Sequence, residues 1–175
     1  MHSCDDGVMD TEQIGLSESS ILKFWALAKG CLKDEDVSVS LCLTDPEVLA
    51  PPAWSFGDSP EMANELLALV LEGKKTATSG LYQEYVDEDE PLPQVGDLSI
   101  IMDGQSEPKV LIQEAEVRIV PFIEVSEEQA LAEGEGDLET WREIHREVWK
   151  RRGFDITDNT LVVWERFTVL WPDVC

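Results

Sequence analysis

The segment best suited to chemistry is residues 72–79, Glu-Gly-Lys-Lys-Thr-Ala-Thr-Ser, which combines two lysines with three hydroxyl side chains. A lysine with a depressed pKa could take the proton of a threonine hydroxyl such as that of Thr78, or bind a phosphate. In an extended strand Lys75 and Thr78 point to opposite faces, so they converge only if the strand bends or twists. The plainer interpretation is that Lys74 and Lys75 stabilise the C-terminal end of a helix and that the threonines favour a strand.

A second candidate is the loop at residues 133–137, Glu-Gly-Glu-Gly-Asp. A tight turn with three acids could place one carboxylate, such as that of Glu133, in a cleft as a general acid or base. The loop lacks the length and the oxygen pattern of a calcium site. The plainer interpretation is a solvated loop in which Asp137 caps the next helix.

A third candidate is the helix predicted to follow this loop, because five of the chain's 13 basic residues fall between residues 141 and 152. Trp141 and His145 are four residues apart and share a helix face, which could stack a nucleobase while a neighbouring arginine contacts phosphate. The alternative is a core tryptophan beside a half-buried histidine, with the basic side chains in solvent.

Charge restricts the partners of the chain. Its 37 Asp and Glu residues outnumber its 13 Lys and Arg residues, which gives a formal net charge of −24 at pH 7. Phosphate backbones and anionic membranes repel such a chain at long range, so long DNA is excluded as a partner. A small pocket for one nucleotide or a short RNA segment remains compatible with this charge, and solubility is its plainer explanation.

Composition argues for a cytoplasmic protein without a metal or another cofactor. No apolar run approaches the roughly 20 residues that span a bilayer, and the acidic N-terminus is unlike a secretory signal. The four cysteines are widely scattered and the two histidines lie far apart. This pattern does not predict a disulfide framework, a zinc site or a Cys-His nucleophile pair.

The N-terminal part is predicted to be one helix between two irregular segments. Residues 1–16 lack periodicity, which is typical of a flexible N-terminus. Ser17 or Ser19 caps a helix whose apolar residues recur at helical spacing, and Gly30 ends it. Residues 31–58 contain three prolines and an acidic turn, which indicates a long connection.

A second helix precedes the lysines and positions them. Ser59 is its predicted N-cap, Pro60 occupies the first helical position, and Gly73 ends it. In the longest strand, polar residues alternate with apolar ones, so that Glu114 and Glu116 share one face. The predicted strands cover residues 76–82, 98–102, 109–120 and 161–170, and short helices follow Ser126 and Asp137.

The order of these elements predicts an α+β fold. The strands are clustered and linked by hairpins, which favours a small, mostly antiparallel sheet that curls toward a barrel, with flanking helices. A doubly wound nucleotide-binding fold is disfavoured because no G-x-G-x-x-G follows a strand. Residues 73–76 also lack the upstream glycine of a phosphate-binding loop.

Two consecutive strings of the chain resemble the ASCH domain family (activating-signal-cointegrator homology). They are A-W-S-F-G-D-S-P at residues 53–60 and L-L-A-L-V-L-E-G-K-K-T-A-T at residues 66–78. The likeness continues to the E-R-F string at residues 165–167 and covers about residues 20–170. It implies a PUA-like β-barrel with flanking helices, and so one domain at residues 17–175 with an N-terminal helical extension.

The resemblance also implies a function at the lysine segment. ASCH clefts are generally proposed to bind RNA, some small members are N4-acetylcytidine amidohydrolases, and one bacterial member is reported as a ribonuclease. The working residues of the amidohydrolases match Lys75, Thr78 and Glu133 here. Those enzymes have an arginine shortly after the threonine, whereas this chain has Ser-Gly-Leu at residues 79–81, and they lack its long N-terminal part.

Two main classes of function remain open, and both have RNA or a modified nucleoside as partner. In a binding module, basic side chains hold phosphate, aromatic rings stack a base, and Thr78 contacts a base edge. In a hydrolase, Lys75 takes the proton of Thr78, which attacks, and Glu133 passes a proton to the leaving group. An acidic interaction domain without chemistry is a third class. The predicted ligand-binding residues are Lys74, Ser79, Tyr82, Trp141, Arg142 and His145.

Overall fold

The computed structural model describes residues 11–32 and 49–172, with side chains from Glu18 onward. Helices and strands alternate irregularly along these residues, and none of the described helices combines the length and the apolar character needed to cross a bilayer. The elements are α1 (Thr11–Cys31), β1 (Ala53–Trp54), α2 (Pro60–Leu71), β2 (Ala77–Leu81), α3 (Tyr82–Asp87), β3 (Leu98–Met102), β4 (Pro108–Pro121), a 3-10 turn (Phe122–Glu124), α4 (Glu127–Ala132), α5 (Leu138–Arg151) and β5 (Leu161–Trp171).

The five strands form one sheet in the order β1-β3-β4-β5-β2. Only β1 and β3 are parallel, and the other neighbours are antiparallel. The predicted α+β fold with a mostly antiparallel sheet is therefore confirmed. The predicted barrel is not closed, because β1 and β2 remain at opposite edges of the sheet. β1 is only two residues long and offers too short a ladder to join them.

Helix ends follow the local signals of the sequence. The Ser59 hydroxyl accepts a hydrogen bond from the Met62 amide, and α2 stops before Gly73, whose φ is +70°. The Asp137 carboxylate accepts from the Thr140 amide at the start of α5. These two helices lie where they were predicted.

Three local expectations differ from the structure. Helix α1 begins at Thr11, earlier than the predicted caps, while residues 1–10 lie outside the described residues. Residues 33–48 of the predicted connection also lie outside them, and the connection contains the unpredicted strand β1. Tyr82 starts α3 instead of ending an extended segment, because the backbone turns into a helix after Leu81.

The sheet is packed on several sides. Helix α2 places Leu66, Leu67 and Val70 against β3, β4 and Phe167. Helix α5 buries Trp141 and Trp149 in a second cluster with residues of the short helices. Helix α1 covers Ile100 and Leu111 through a third cluster, which includes Phe24, Trp25 and Ala28. These helices cover the sheet but leave a space between its two edges.

Candidate functional site

A cavity of about 1170 Å³ lies between the two edge strands of the open sheet. Its wall combines β1, residues Thr78, Ser79 and Gly80 of β2, and the segment at residues 90–99. Side chains from four further elements complete the lining: Trp25 of α1, Tyr85 of α3, Glu114 of β4 and Glu165 of β5. The cavity therefore occupies the place where a closed barrel would join its first and last strands.

Glu165 is a buried carboxyl on the cavity wall. It is the direct cross-strand partner of Thr78, so both side chains project from the same face of the sheet. The Tyr85 hydroxyl donates a hydrogen bond of 3.2 Å to its Oε1 atom. Burial raises the pKa of Glu165 to about 7, because the Tyr85 hydrogen bond offsets only part of the desolvation and the neighbouring carboxylates oppose ionisation.

Glu114 is the second carboxyl of the cavity and is only 3% exposed. Its Oε2 atom is buried and has no hydrogen-bond partner among the described residues. Burial, followed by the negative charges of Glu165 and Asp97, raises the pKa of Glu114 to about 8. The cavity thus contains two carboxyls that titrate near neutral pH, which is the range where an acid can both donate and accept a proton.

A buried ionic cluster lies behind the β2 wall of the cavity. Lys75 is 2% exposed, and its Nζ atom lies 3.7 Å from Glu133 Oε2 and 3.5 Å from Glu135 Oε2. The same ammonium donates a 3.3 Å hydrogen bond to the Glu133 carbonyl oxygen and lies 5.2 Å from the centre of the Phe56 ring. Lys75 is therefore a paired cation in the protein interior, without surface for a phosphate.

Glu133 is the centre of this cluster. Its Oε1 atom accepts hydrogen bonds from Ser79 Oγ at 2.5 Å and from Trp141 Nε1 at 2.8 Å. Its Oε2 atom lies 3.5 Å from His145 Nε2. Burial opposes ionisation, but the hydrogen bond from His145 and the charge of Lys75 lower the pKa of Glu133 to about 2. Ser79 connects this carboxylate to the cavity, because Ser79 also lines it.

A close approach of two loops brings Lys75 and Glu133 together. The Thr76 amide donates to the Ala132 carbonyl oxygen at 2.7 Å, which joins the start of β2 to the end of α4. Gly134 has a φ of +75°, and a Cβ atom at this position would lie 2.9 Å from the Lys74 carbonyl oxygen. A glycine at position 134 therefore permits this contact.

The structure brings together five of the sequence-predicted residues: Lys75, Ser79, Glu133, Trp141 and His145. Trp141 is fully buried and stacks on His145 with 4.1 Å between the ring centres, so these rings support Glu133 and do not face the cavity. Thr78 lines the cavity, but within residues 49–172 its hydroxyl makes no hydrogen bond to Lys75 or Glu133.

The other three predicted residues lie apart from the cluster and do not line the cavity. Lys74 is exposed and pairs with Glu72 at 2.7 Å. Arg142 donates to the Ile123 carbonyl oxygen at 2.9 Å. Tyr82 lines a separate cavity of about 260 Å³ next to Phe154, because its position at the start of α3 turns it away from β2.

Sequence reasoning did not single out Glu114, Glu165 or Tyr85. A signal existed for the two carboxyls, since Glu165 directly follows the apolar run at residues 161–164 and Glu114 lies two positions after the one at residues 110–112. A carboxyl inside a buried strand is uncommon unless it has a partner or a function. Tyr85 carried no comparable signal because α3 was not predicted.

The ionic cluster has the spacing of a cation site. Glu133, Glu135 and His145 each offer a ligand atom, and these atoms lie within 4.8 Å of one another. The Lys75 ammonium is 3.7 Å from the first of these carboxylates and 3.5 Å from the second. A metal ion would have to displace this ammonium, so the residues present fit an internal ion pair better than a metal centre.

Comparison with known proteins places the chain in a family. The ASCH domain family model matches residues 52–171. A solved structure of protein EF3133 from Enterococcus faecalis V583 is 34% identical with a TM-score of 0.73, and the match covers 86% of this chain and 88% of that one. The ASCH domain from Lactobacillus crispatus JV V101 is 27% identical with a TM-score of 0.74, covering 87% of this chain and 95% of that one. No curated protein matches. The chain belongs to the ASCH domain family, as its sequence motifs predicted.

Proposed function

We propose that this protein binds a nucleobase, carried by a modified nucleoside or by a short RNA segment, in the cavity between the two edge strands. The observation that carries the proposal is the composition of the cavity wall. Trp25, Trp54 and Tyr85 line it together with the carboxyls of Glu114 and Glu165, and no basic residue is among its described lining residues. The general proposal that ASCH clefts bind RNA is consistent with such a ligand.

The size and chemistry of the cavity suit a base. Its volume of about 1170 Å³ is sufficient for a nucleoside, since small-molecule sites commonly enclose roughly 300 to 1,000 Å³. Aromatic side chains stack unpaired bases. Carboxyl oxygens accept hydrogen bonds from the amino groups at base edges. These features support recognition of the base itself rather than of its phosphate.

The basic side chains of the protein support the same conclusion. Lys75 is buried between two carboxylates and cannot reach a ligand phosphate without leaving them. Three arginines of α5 and its C-cap are engaged in ion pairs, so this helix offers few unpaired cations for contacts with the phosphates of an RNA backbone. The pairs are Arg146 with Asp158, Arg151 with Asp58, and Arg152 with Glu84.

Titration of the full chain with nucleosides and pentamer oligoribonucleotides tests the proposal, with tryptophan fluorescence and calorimetry as readouts. Ser99→Trp should abolish binding, because Ser99 lines the cavity and the larger ring would fill it. Gln105→Trp is the matched control, because Gln105 is exposed on the β3–β4 hairpin and should leave binding unchanged. Binding that survives Ser99→Trp, or no binding by the unmodified protein, would exclude this cavity.

Hydrolysis of a modified nucleoside is a second candidate function. It is favoured by the contact of Lys75 with Glu133, because the Glu133 carboxylate accepts from the hydroxyl of Ser79, which lines the cavity next to Thr78. The Thr78 hydroxyl makes no hydrogen bond within the described part of β2 and its neighbours, and it is the candidate nucleophile.

Incubation with N4-acetylcytidine and detection of cytidine by chromatography test the second candidate. Turnover by the unmodified protein that is lost in Thr78→Ala and retained in Thr76→Ala would support it, since Thr76 does not line the cavity. Both variants must unfold at temperatures close to that of the parent. An unmodified protein that releases no cytidine excludes this activity.

A further inference from the structure

Two buried polar atoms of the cavity wall lack a partner in the part of the chain that the structure describes. Glu114 Oε2 and Trp25 Nε1 make no hydrogen bond to residues 18–32 or 49–172, although both residues are at least nine-tenths buried and both line the cavity. Buried polar groups are nearly always hydrogen-bonded, because an unpaired one loses its interaction with water without compensation. Trp25 Nε1 is a donor, and Glu114 Oε2 is an acceptor once the carboxyl is ionised, so the cavity presents an unused group of each kind.

The remaining polar groups of the cavity make it rich in acceptors. The Tyr85 hydroxyl already donates to Glu165, and the Ser79 hydroxyl already donates to Glu133. Asp97 adds a further carboxylate to the described lining, which includes no lysine, arginine or histidine. When these carboxyls are ionised, a ligand that presents N–H groups to them gains hydrogen bonds, whereas a ligand that presents oxygen atoms to them meets repulsion.

We propose that Glu114, Glu165 and Trp25 read the edge of the ligand and select an amino-substituted heterocycle, such as a cytosine or adenine base, over its oxo counterpart. The exocyclic amine donates to the Glu114 carboxyl, and a ring nitrogen or carbonyl of the ligand accepts from Trp25 Nε1. Glu165 provides the second carboxyl beside it. This inference rests on the base binding proposed above and assigns the side chains that give it specificity.

Matched ligand pairs test the selection, because cytidine and uridine, or adenosine and inosine, differ by an amine in place of a carbonyl. We expect the amino member of each pair to bind at least about tenfold more tightly at pH 8, measured by calorimetry on the full chain. Glu114→Gln should reduce this preference, since the amide can donate to a carbonyl. Glu107→Gln makes the same change on the exposed hairpin and should leave the preference unaltered.

Trp25→Phe gives an independent readout, because it removes the indole N–H and retains an aromatic ring. It should weaken the amino member of a pair more than the oxo member, because the ring nitrogen next to the amine accepts from the indole whereas the same nitrogen of the oxo member carries a hydrogen. Thermal unfolding of each variant establishes that it is folded. If Glu114→Gln does not fold, Glu165→Gln replaces it as the variant that lacks one carboxyl of the cavity.

The outcomes separate the two proposals. Equal binding of amino and oxo ligands, with no effect of Glu114→Gln, overturns the selection but leaves base binding intact. Absence of binding for every nucleoside and pentamer overturns both proposals.

Discussion

Replacing Glu114 by glutamine should make the stability of the protein less sensitive to a rise in pH from about 5 to 8. The carboxyl is 3% exposed, and its pKa of about 8 is well above the ordinary value of 4.5. The folded protein therefore retains a proton that the unfolded chain releases as the pH rises from 4.5. Because the folded state binds more protons between pH 4.5 and 8, the carboxyl lowers the free energy of unfolding as the pH rises through this interval and causes no further loss above it. Glutamine has no proton to lose.

The expected magnitude follows from the shift in pKa. Each unit of pKa corresponds to about 1.4 kcal/mol, so a change from 4.5 to about 8 weakens the folded state by roughly 4 kcal/mol between pH 5 and pH 9. Water that enters the cavity would reduce the desolvation that causes the shift. We therefore expect Glu114→Gln to gain about 2 to 4 kcal/mol relative to the parent protein over this range.

Urea unfolding followed by tryptophan fluorescence at pH 5, 6, 7, 8 and 9 measures this difference. The groups that face Glu114, which include Glu165 and Asp97, are present in both proteins, so their direct contributions largely cancel. Glu107→Gln should follow the parent at every pH because its side chain is exposed. If Glu114→Gln also follows the parent in parallel from pH 5 to pH 9, then Glu114 is ionised normally and our account of the cavity is wrong.

Three further predictions concern stability. Lys75→Met should lower the free energy of unfolding by about 3 to 5 kcal/mol in urea at pH 7, because Glu133 loses its buried cation. The exposed Lys74→Met is its control, and equal losses in the two variants would contradict the burial of the cluster. Acid titration followed by fluorescence should show stability falling from pH 4.5 toward pH 2, because the folded protein holds the pKa of Glu133 near 2; a flat profile would exclude this. Ser59→Ala should cost about 1 kcal/mol in thermal unfolding through loss of the α2 cap, and an unchanged midpoint would contradict it.

Local signals made the ends of α2 and the start of α5 predictable, whereas closure of the sheet depended on non-local pairing. Ser59, Gly73 and Asp137 act within a few residues of themselves, and each marks a helix end in the structure. A barrel would require the two edge strands to meet. β1 follows Pro51 and Pro52 and extends over only two residues, and no local pattern revealed how short it is.

The candidate site was only partly accessible to sequence reasoning. Lys75 and Glu133 are far apart in the chain, and their proximity was expected from the family resemblance rather than from any spacing. The roles of Lys75 as a base and of Glu133 as a proton donor remain predictions. The hydroxyl that contacts Glu133 is that of Ser79 instead of Thr78, because the strand does not bend as their convergence would require. Lys75 is buried in the protein interior, and the net charge of the chain could not indicate the position of a single lysine.

Strict alternation along β4 grouped Glu114 with Glu116 on one face, and the structure separates them. The register of β4 against β5 shifts between these two residues, so Ala115 is an extra residue without a partner on β5. A bulge of this kind interrupts the alternation of a strand. Glu114 is consequently buried in the cavity, whereas Glu116 forms ion pairs with Arg118 and Arg166.

The extra residue at position 115 also makes this strand tolerant of one particular change in length. Deleting Ala115 would leave Glu114 opposite Phe167 and Glu116 opposite Arg166, so the ladder would become regular and no side chain would change face. A deletion elsewhere in the paired part of β4 would instead make the side chains on one side of it exchange inside for outside. A relative that lacks only the residue equivalent to Ala115 would therefore keep both carboxyls of the cavity.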